Sequence, residues 1–168
     1  MNLQRIELIK FGAQIENFVL EQHQRELSDF EHMRYSRQNE IQHSTQTIVD
    51  YVNLLENLGG HFYFLKLVSD QSVVGSITIK PHKLKSAEIG ILIYRRYSNF
   101  GFGTEAMHIV RTKLVEMGFK VMFAGTKIDH FAMRRILEKS GMQIATLRNF
   151  PKNKFAEPTN IYFETKLI

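Results

Sequence analysis

Apolar and polar residues alternate through "LQRIELIKF", and the alternation stops at Gly12, which predicts a first strand. From Gln14 to about Glu26 the spacing becomes helical, with Ile15, Phe18, Val19 and Leu20 recurring on one side. The stretch from Ser28 to Ser44 is polar and irregular, with Phe30, Met33 and Tyr35 embedded in it. Ser44 or Thr45 can cap a second helix whose apolar face is Ile48, Tyr51, Val52 and Leu55, and Gly59-Gly60 ends it. The period then changes. "HFYFLKLV" and "VVGSITIK" read as two strands of a hairpin joined by "SDQS", and "AEIGILIY" as the next strand. Thr104 to Gly118 is helical, with Ala106, Ile109, Val110, Leu114 and Met117 on one face. "KVMFAGT" is a strand, Phe131 to Ser140 a short helix with Ile136 and Leu137 inward, and "QIATLRNF" and "IYFETKLI" are closing strands around "PKNKFAEPTN".

The predicted order is β-α-α-β-β-β-α-β-α-β-β: an α/β (α+β) fold with a mixed sheet of about seven strands and helices on both faces. The three prolines, Pro81, Pro151 and Pro158, fall in segments that read as loops. A length of 168 residues without repeat or linker suits one domain, residues 1–168, around one core. No stretch approaches the roughly 20 apolar residues of a membrane span. "MNLQRIELIKFG" has no long apolar core behind a basic start, so no secretory signal is read there and the expected location is the cytoplasm.

Composition narrows the chemistry. The chain has no cysteine, which removes disulfides, thiolate metal ligands and a cysteine nucleophile together. Its seven histidines show no His-Glu-x-x-His spacing, so no metal is expected. The formal charge of +5 favours anionic ligands, but the basic residues are dispersed rather than clustered. A nucleic-acid partner is therefore not expected, and neither is a membrane.

The candidate chemistry lies where the third central strand meets the next helix, at "SNFGFGTEA". Glycine admits a ligand close to the backbone, the first helical N–H groups lack intrahelical partners, and the helix dipole adds positive charge. Together these features suit a phosphate group, with Gly101 and Gly103 shaping the turn and amides from about Phe100 to Glu105 facing the anion. A glycine loop that only joins strand to helix is the alternative. Neither a dinucleotide fingerprint nor a Walker loop is present.

The segment resembles the cofactor core of the GNAT superfamily of acyl-coenzyme A-dependent N-acyltransferases, whose loop reads Gln/Arg-x-x-Gly-x-Gly/Ala. "HFAMRRILEKSGM" is similar to a second superfamily segment, matched at Glu138, Lys139 and Gly141. "AEIG", "GTEA" and "RRILEKSGM" look most like the RimJ/RimL-type branch. The resemblance implies acetyl-CoA as co-substrate, contacted by Ile91, Leu92, Ile93, Ser98, Asn99, Phe100, Gly101, Phe102, Gly103, Thr104, His130 and Met133. It implies that the strand Ala87–Tyr94 splays from Lys120–Thr126 and offers free backbone groups, with the amide of about Ile93 facing the thioester oxygen. Glu88 is the candidate general base; a solvent-facing strand residue is its alternative reading. Glu105 is expected to stabilise the helix N-terminus. His32, Met33, Arg34 and Tyr35 correspond to the acceptor-lining region, His61 is a candidate second base on the acceptor side, and residues 150–160 a candidate opposite wall.

Four positions depart from the superfamily pattern. Ser98 stands in place of Gln or Arg, with Arg95 and Arg96 nearby as substitutes; His130 replaces Asn; Met133 replaces Ser or Ala. Leu137 replaces a tyrosine associated with the leaving thiolate. Arg134, Arg135 and Lys139 could meet nucleotide phosphates or form a solvated face. The expected activity is direct transfer of an acetyl group to a primary amine, an amino sugar or a protein N-terminus, in a ternary complex; a homodimer is compatible with this. A catalytically silent CoA-binding regulatory module is the alternative.

Overall fold

The computed structural model describes residues 4–12, 15–36, 43–145 and 160–167. Seven strands form one sheet: β1 (Ile6–Lys10), β2 (His61–Leu67), β3 (Val73–His82), β4 (Ser86–Ile93), β5 (Val121–Lys127), β6 (Gln143–Ile144) and β7 (Asn160–Lys166). Their spatial order is β1-β2-β3-β4-β5-β7-β6. Every pairing is antiparallel except β4 with β5. The helices are α1 (Asn17–Leu27), α2 (Thr45–Asn57), α3 (Phe102–Glu116) and α4 (Phe131–Lys139).

Alternation along β2 divides the core in two. Tyr63 and Leu65 join Ile77, Ile79, Ala87 and Ile89 beneath α3 and α4, where Ala106, Met107, Val110, Leu114 and Leu137 cover them. Phe62 and Phe64 point the other way and meet Val19, Val52, Leu55 and Tyr94 beneath α1 and α2. The period-two reading of β2 thus feeds both faces at once.

The caps follow side-chain chemistry. Ser44 Oγ accepts the Thr47 amide at 3.1 Å, and Thr47 Oγ1 accepts the Ser44 amide at 2.9 Å, a reciprocal box that starts α2. The apolar face Ile48, Val52 and Leu55 is buried as its spacing predicts.

Three expectations need correction. Pro81 lies inside β3, not in a loop, paired with Ala87. The register of β2 against β3 begins at His61↔Ile79, so beyond Ile79 that flank is open and the missing proline N–H leaves no ladder bond unmade. The strand expected over 143–150 is formed at Gln143–Ile144; positions 146–159, which include Pro151, Pro158 and nearly all of the proposed 150–160 wall, lie outside the described residues. In α1, Phe18 is 59% exposed, while His23 is buried.

His23 sits between Phe62 and Phe64, edge-on to both rings at centroid distances of 5.7 and 5.3 Å. Its Nδ1 lies 2.9 Å from the hydroxyl of the fully buried Tyr94. Burial, reinforced by nearby His43, pulls the His23 pKa down to about 3, and burial pushes Tyr94 upward, so both are neutral partners in one hydrogen bond. The unfolded chain binds a proton at His23 near the reference value of about 6.5, and the folded chain does not until about 3. Between those values the unfolded state holds more protons, so stability falls as pH drops. The expected slope reaches about 1.4 kcal/mol per pH unit from this group. Urea midpoints at about pH 7 and pH 5 check it; His23→Gln should flatten the dependence.

Candidate functional site

The parallel ladder between β4 and β5 has only three pairs: Ser86↔Val121, Ala87↔Met122 and Glu88↔Phe123. Beyond them β4 continues to Ile93 and β5 to Lys127 without pairing to each other. Backbone groups of Ile89–Ile93 on that flank therefore lack a strand partner, in the middle of a sheet. Such groups demand a partner of some kind. One has it: His32 Nε2 lies 2.7 Å from the Ile93 carbonyl. A carbonyl only accepts, so Nε2 carries the proton and donates.

The turn after β4 delivers a helix N-terminus to the same place. Gly101 is the N-cap residue of α3, with φ of 84°, a conformation that a side chain resists. Gly103 does not shape the turn. It lies in the first turn of α3 and lines the cavity, where a Cβ would stand 2.6 Å from the tip of the Ile136 side chain on α4. Helical geometry leaves the amides of Phe102, Gly103 and Thr104 without intrahelical acceptors.

Glu105 does more than complement the dipole. Its Oε1 accepts the Arg5 and Ile6 amides at 2.6 and 3.2 Å, and its Oε2 accepts Arg5 Nε at 2.8 Å. Arg5 Nη1 also donates to the Phe100 carbonyl at 3.1 Å, and the guanidinium lies 4.7 Å from the Phe102 ring centroid. Arg5 thus clasps the glycine turn from outside.

A cavity of about 1240 Å³ joins the opened strands to this turn and extends between the sheet and helices α1 and α2. It is lined by Ile91, Leu92, Ile93, Ser98, Asn99, Gly101, Phe102, Gly103, Thr104, His130 and Met133, and also by His32, Met33, Arg34 and Tyr35. Sequence positions far apart are brought together here: the Tyr35 ring stacks on His130 at 4.3 Å, and the Arg34 guanidinium covers Tyr35 at 4.9 Å. Burial, then the Arg34 charge, holds the His130 pKa below its ordinary value.

Three expected residues do not line the cavity. Phe100 is 62% exposed and stacks on Phe102. Glu88 shares the sheet face of Gly90 and Leu92, but its carboxylate Oε2 lies 3.3 Å from His82 Nε2. His61 belongs to the wrong face for the acceptor side. Alternation sets it with Tyr63 towards α3 and gives the cavity face to Phe62, because successive strand residues point oppositely.

The arginines offered in place of a side chain at Ser98 are otherwise engaged. Arg95 bonds Asp29 at 3.2 Å and Glu31 at 2.8 Å, and Arg96 lies over Tyr97 at 4.7 Å. Arg135 and Lys139 line the cavity, whereas Arg134 donates to the Ile128 carbonyl. Leu137 is fully buried in the core, so no acid stands at that position. The floor that sequence reasoning missed comprises His23, Tyr51, Phe62, Ser76, Thr78 and Lys80. Strand alternation could have found the last four, since it places Phe62, Thr78 and Gly90 in register on one face.

Comparison with known proteins agrees with this geometry. Residues 15–143 match the family model described as an acetyltransferase (GNAT) domain. A search of curated proteins finds no match. A GNAT-family acetyltransferase from Bacillus anthracis is 21% identical, with 96% of this chain and 95% of that chain covered and a TM-score of 0.74. Spermidine N-acetyltransferase from Vibrio cholerae, in complex with CoA and spermine, is 12% identical over 97% and 96% of the chains, with a TM-score of 0.75. The RimL ribosomal alpha-N-protein acetyltransferase, in complex with coenzyme A, is 11% identical over 97% and 94%, with a TM-score of 0.75. At these identities the structures speak for the fold, and the family match spans most of the sequence: the chain belongs to the GNAT acetyltransferases.

Proposed function

We propose that this protein transfers the acetyl group of acetyl-CoA to a primary amine by direct attack, within the RimJ/RimL-type branch. The observation that carries the reading is the end of the β4–β5 ladder at Glu88↔Phe123, beside an α3 N-terminus opened by Gly101, in one cavity. The unpaired edge of β4 suits the amide-bearing arm of the co-substrate, as an added strand would. The free amides of Phe102–Thr104 suit its diphosphate. Two of the solved structures named above were determined in complex with CoA, which supports a CoA co-substrate for this fold.

The residues divide the work as follows. The Ile93 amide region faces the thioester oxygen and stabilises negative charge developing there. A lysine-like amine has a reference pKa of about 10.4 and must lose a proton before it attacks. Glu88 takes that proton through a water, since its carboxylate stands outside the cavity lining. The amine nitrogen then bonds the carbonyl carbon, the carbon–sulfur bond breaks, and the thiolate takes a proton from solvent. The absence of cysteine favours this one-step route over an acyl-enzyme. The regulatory reading is motivated by the departures from the superfamily pattern at Ser98, Met133 and Leu137, the last a fully buried core residue.

Acetyl-CoA at about 100 times its Kd should stabilise the fold by roughly 2.7 kcal/mol, which for this size raises Tm by about 5–10 °C. An unchanged Tm contradicts the proposal; a shift without thiol release for any amine favours the regulatory module. Glu88→Gln should lower kcat by about 100-fold and leave the acetyl-CoA shift intact, and equal rates would remove Glu88 from the base role. Arg5→Ala, which loosens the clasp on the glycine turn, should raise KM for acetyl-CoA with little change in kcat; initial rates across acetyl-CoA concentrations separate the two.

A further inference from the structure

The acceptor arm of the cavity has an unbalanced charge. Its walls are α1, the segment through Tyr35, α2 and the floor strands β2 and β3. Among the described residues two carboxylates line the cavity: Glu31, paired with Arg95 at 2.8 Å, and Asp129, beside His130 on the far bank. Two cations face the same space without a carboxylate within ion-pair distance among the described residues: half-buried Lys80 on the floor and Arg34 at the rim. The carboxylate nearest Lys80 in register is Glu88, directly opposite on β4. It stands outside the lining, its Oε2 against His82, and forms no ion pair with Lys80.

We infer that the acceptor is an amine that also carries an anionic group, a phosphate or a carboxylate, which Lys80 receives on the cavity floor. This rests on the acetyltransferase reading and deepens it. Half-buried Lys80, whose cross-strand neighbour Glu88 has its carboxylate against His82, attracts an anionic ligand and repels a polycation. The polar neighbours Ser76 and Thr78 offer hydroxyl donors along the same floor, and Phe62 and Tyr51 give the uncharged body of the acceptor an apolar wall. A polyamine, by contrast, would meet Lys80 and Arg34 with like charge.

The test is thiol release from acetyl-CoA with matched acceptors: glucosamine 6-phosphate against glucosamine, phenylalanine against phenylalaninamide, and spermidine. The anionic member of at least one pair should have a kcat/KM about tenfold higher, carried by KM, and the pair that shows it identifies phosphate or carboxylate as the group read. Lys80→Met should bring that ratio close to one. Preference for the uncharged members or for spermidine, turnover of no anionic member, or a ratio unchanged in Lys80→Met overturns the inference. The acetyl-CoA thermal shift, recorded in the same samples and in the Lys80→Met protein, separates these failures from failure of the acetyltransferase reading itself: a retained shift leaves that reading standing.

Discussion

The structure depends on hydrogen bonds that β4 and β5 do not make. A central parallel pair that runs together for three residues and then parts is an expensive arrangement unless something takes the place of the missing ladder. The flanks compensate. On one side β4 holds β3 through eight registered pairs from Gly75↔Ile93 to His82↔Ser86; on the other β5 holds β7 through seven. The sheet stays intact around the wedge because each strand bordering it is fully paired on its far flank. The opening is therefore a property of the topology rather than of any one side chain.

Around that wedge the chain gathers groups with opposite demands. The glycine turn brings unpaired donors, the segment through Tyr35 brings imidazole and guanidinium groups, and α4 presents His130 at its start. The Tyr35–His130 stack ties the segment after α1 to the far bank of the opening, and the His32 bond to Ile93 ties it to the near bank. One short stretch thus touches both parted strands' neighbourhoods. Arg95, anchored by Asp29 and Glu31, fixes the base of that stretch to the residues following β4.

Much of this was legible in the sequence, and the failures have physical causes. Period-two and helical spacing found the strands and helices because burial on a defined face imposes those periods. The glycine turn was legible because backbone geometry restricts what can stand at Gly101, whereas the closeness of Gly103 to Ile136 needed the packed helices to be seen. His23 escaped because a polar residue buried against aromatic rings breaks the apolar code of α1, and Phe18 escaped in the opposite sense. His61 was assigned to the wrong face because one residue of parity separates it from Phe62. The charge balance of the cavity needed three dimensions: Arg95 could not be known to be occupied until Asp29 and Glu31 were seen beside it.

The bonds between Glu105 and the start of β1 reach beyond the turn they steady. β1 is an edge strand, and edge strands invite pairing by other chains. By capping the amides of Arg5 and Ile6, a helix carboxylate occupies the donors that an incoming strand would seek at this end of the sheet. The same acidic side chain that braces the glycine turn, through Arg5, thus leaves fewer open donors at the start of this edge.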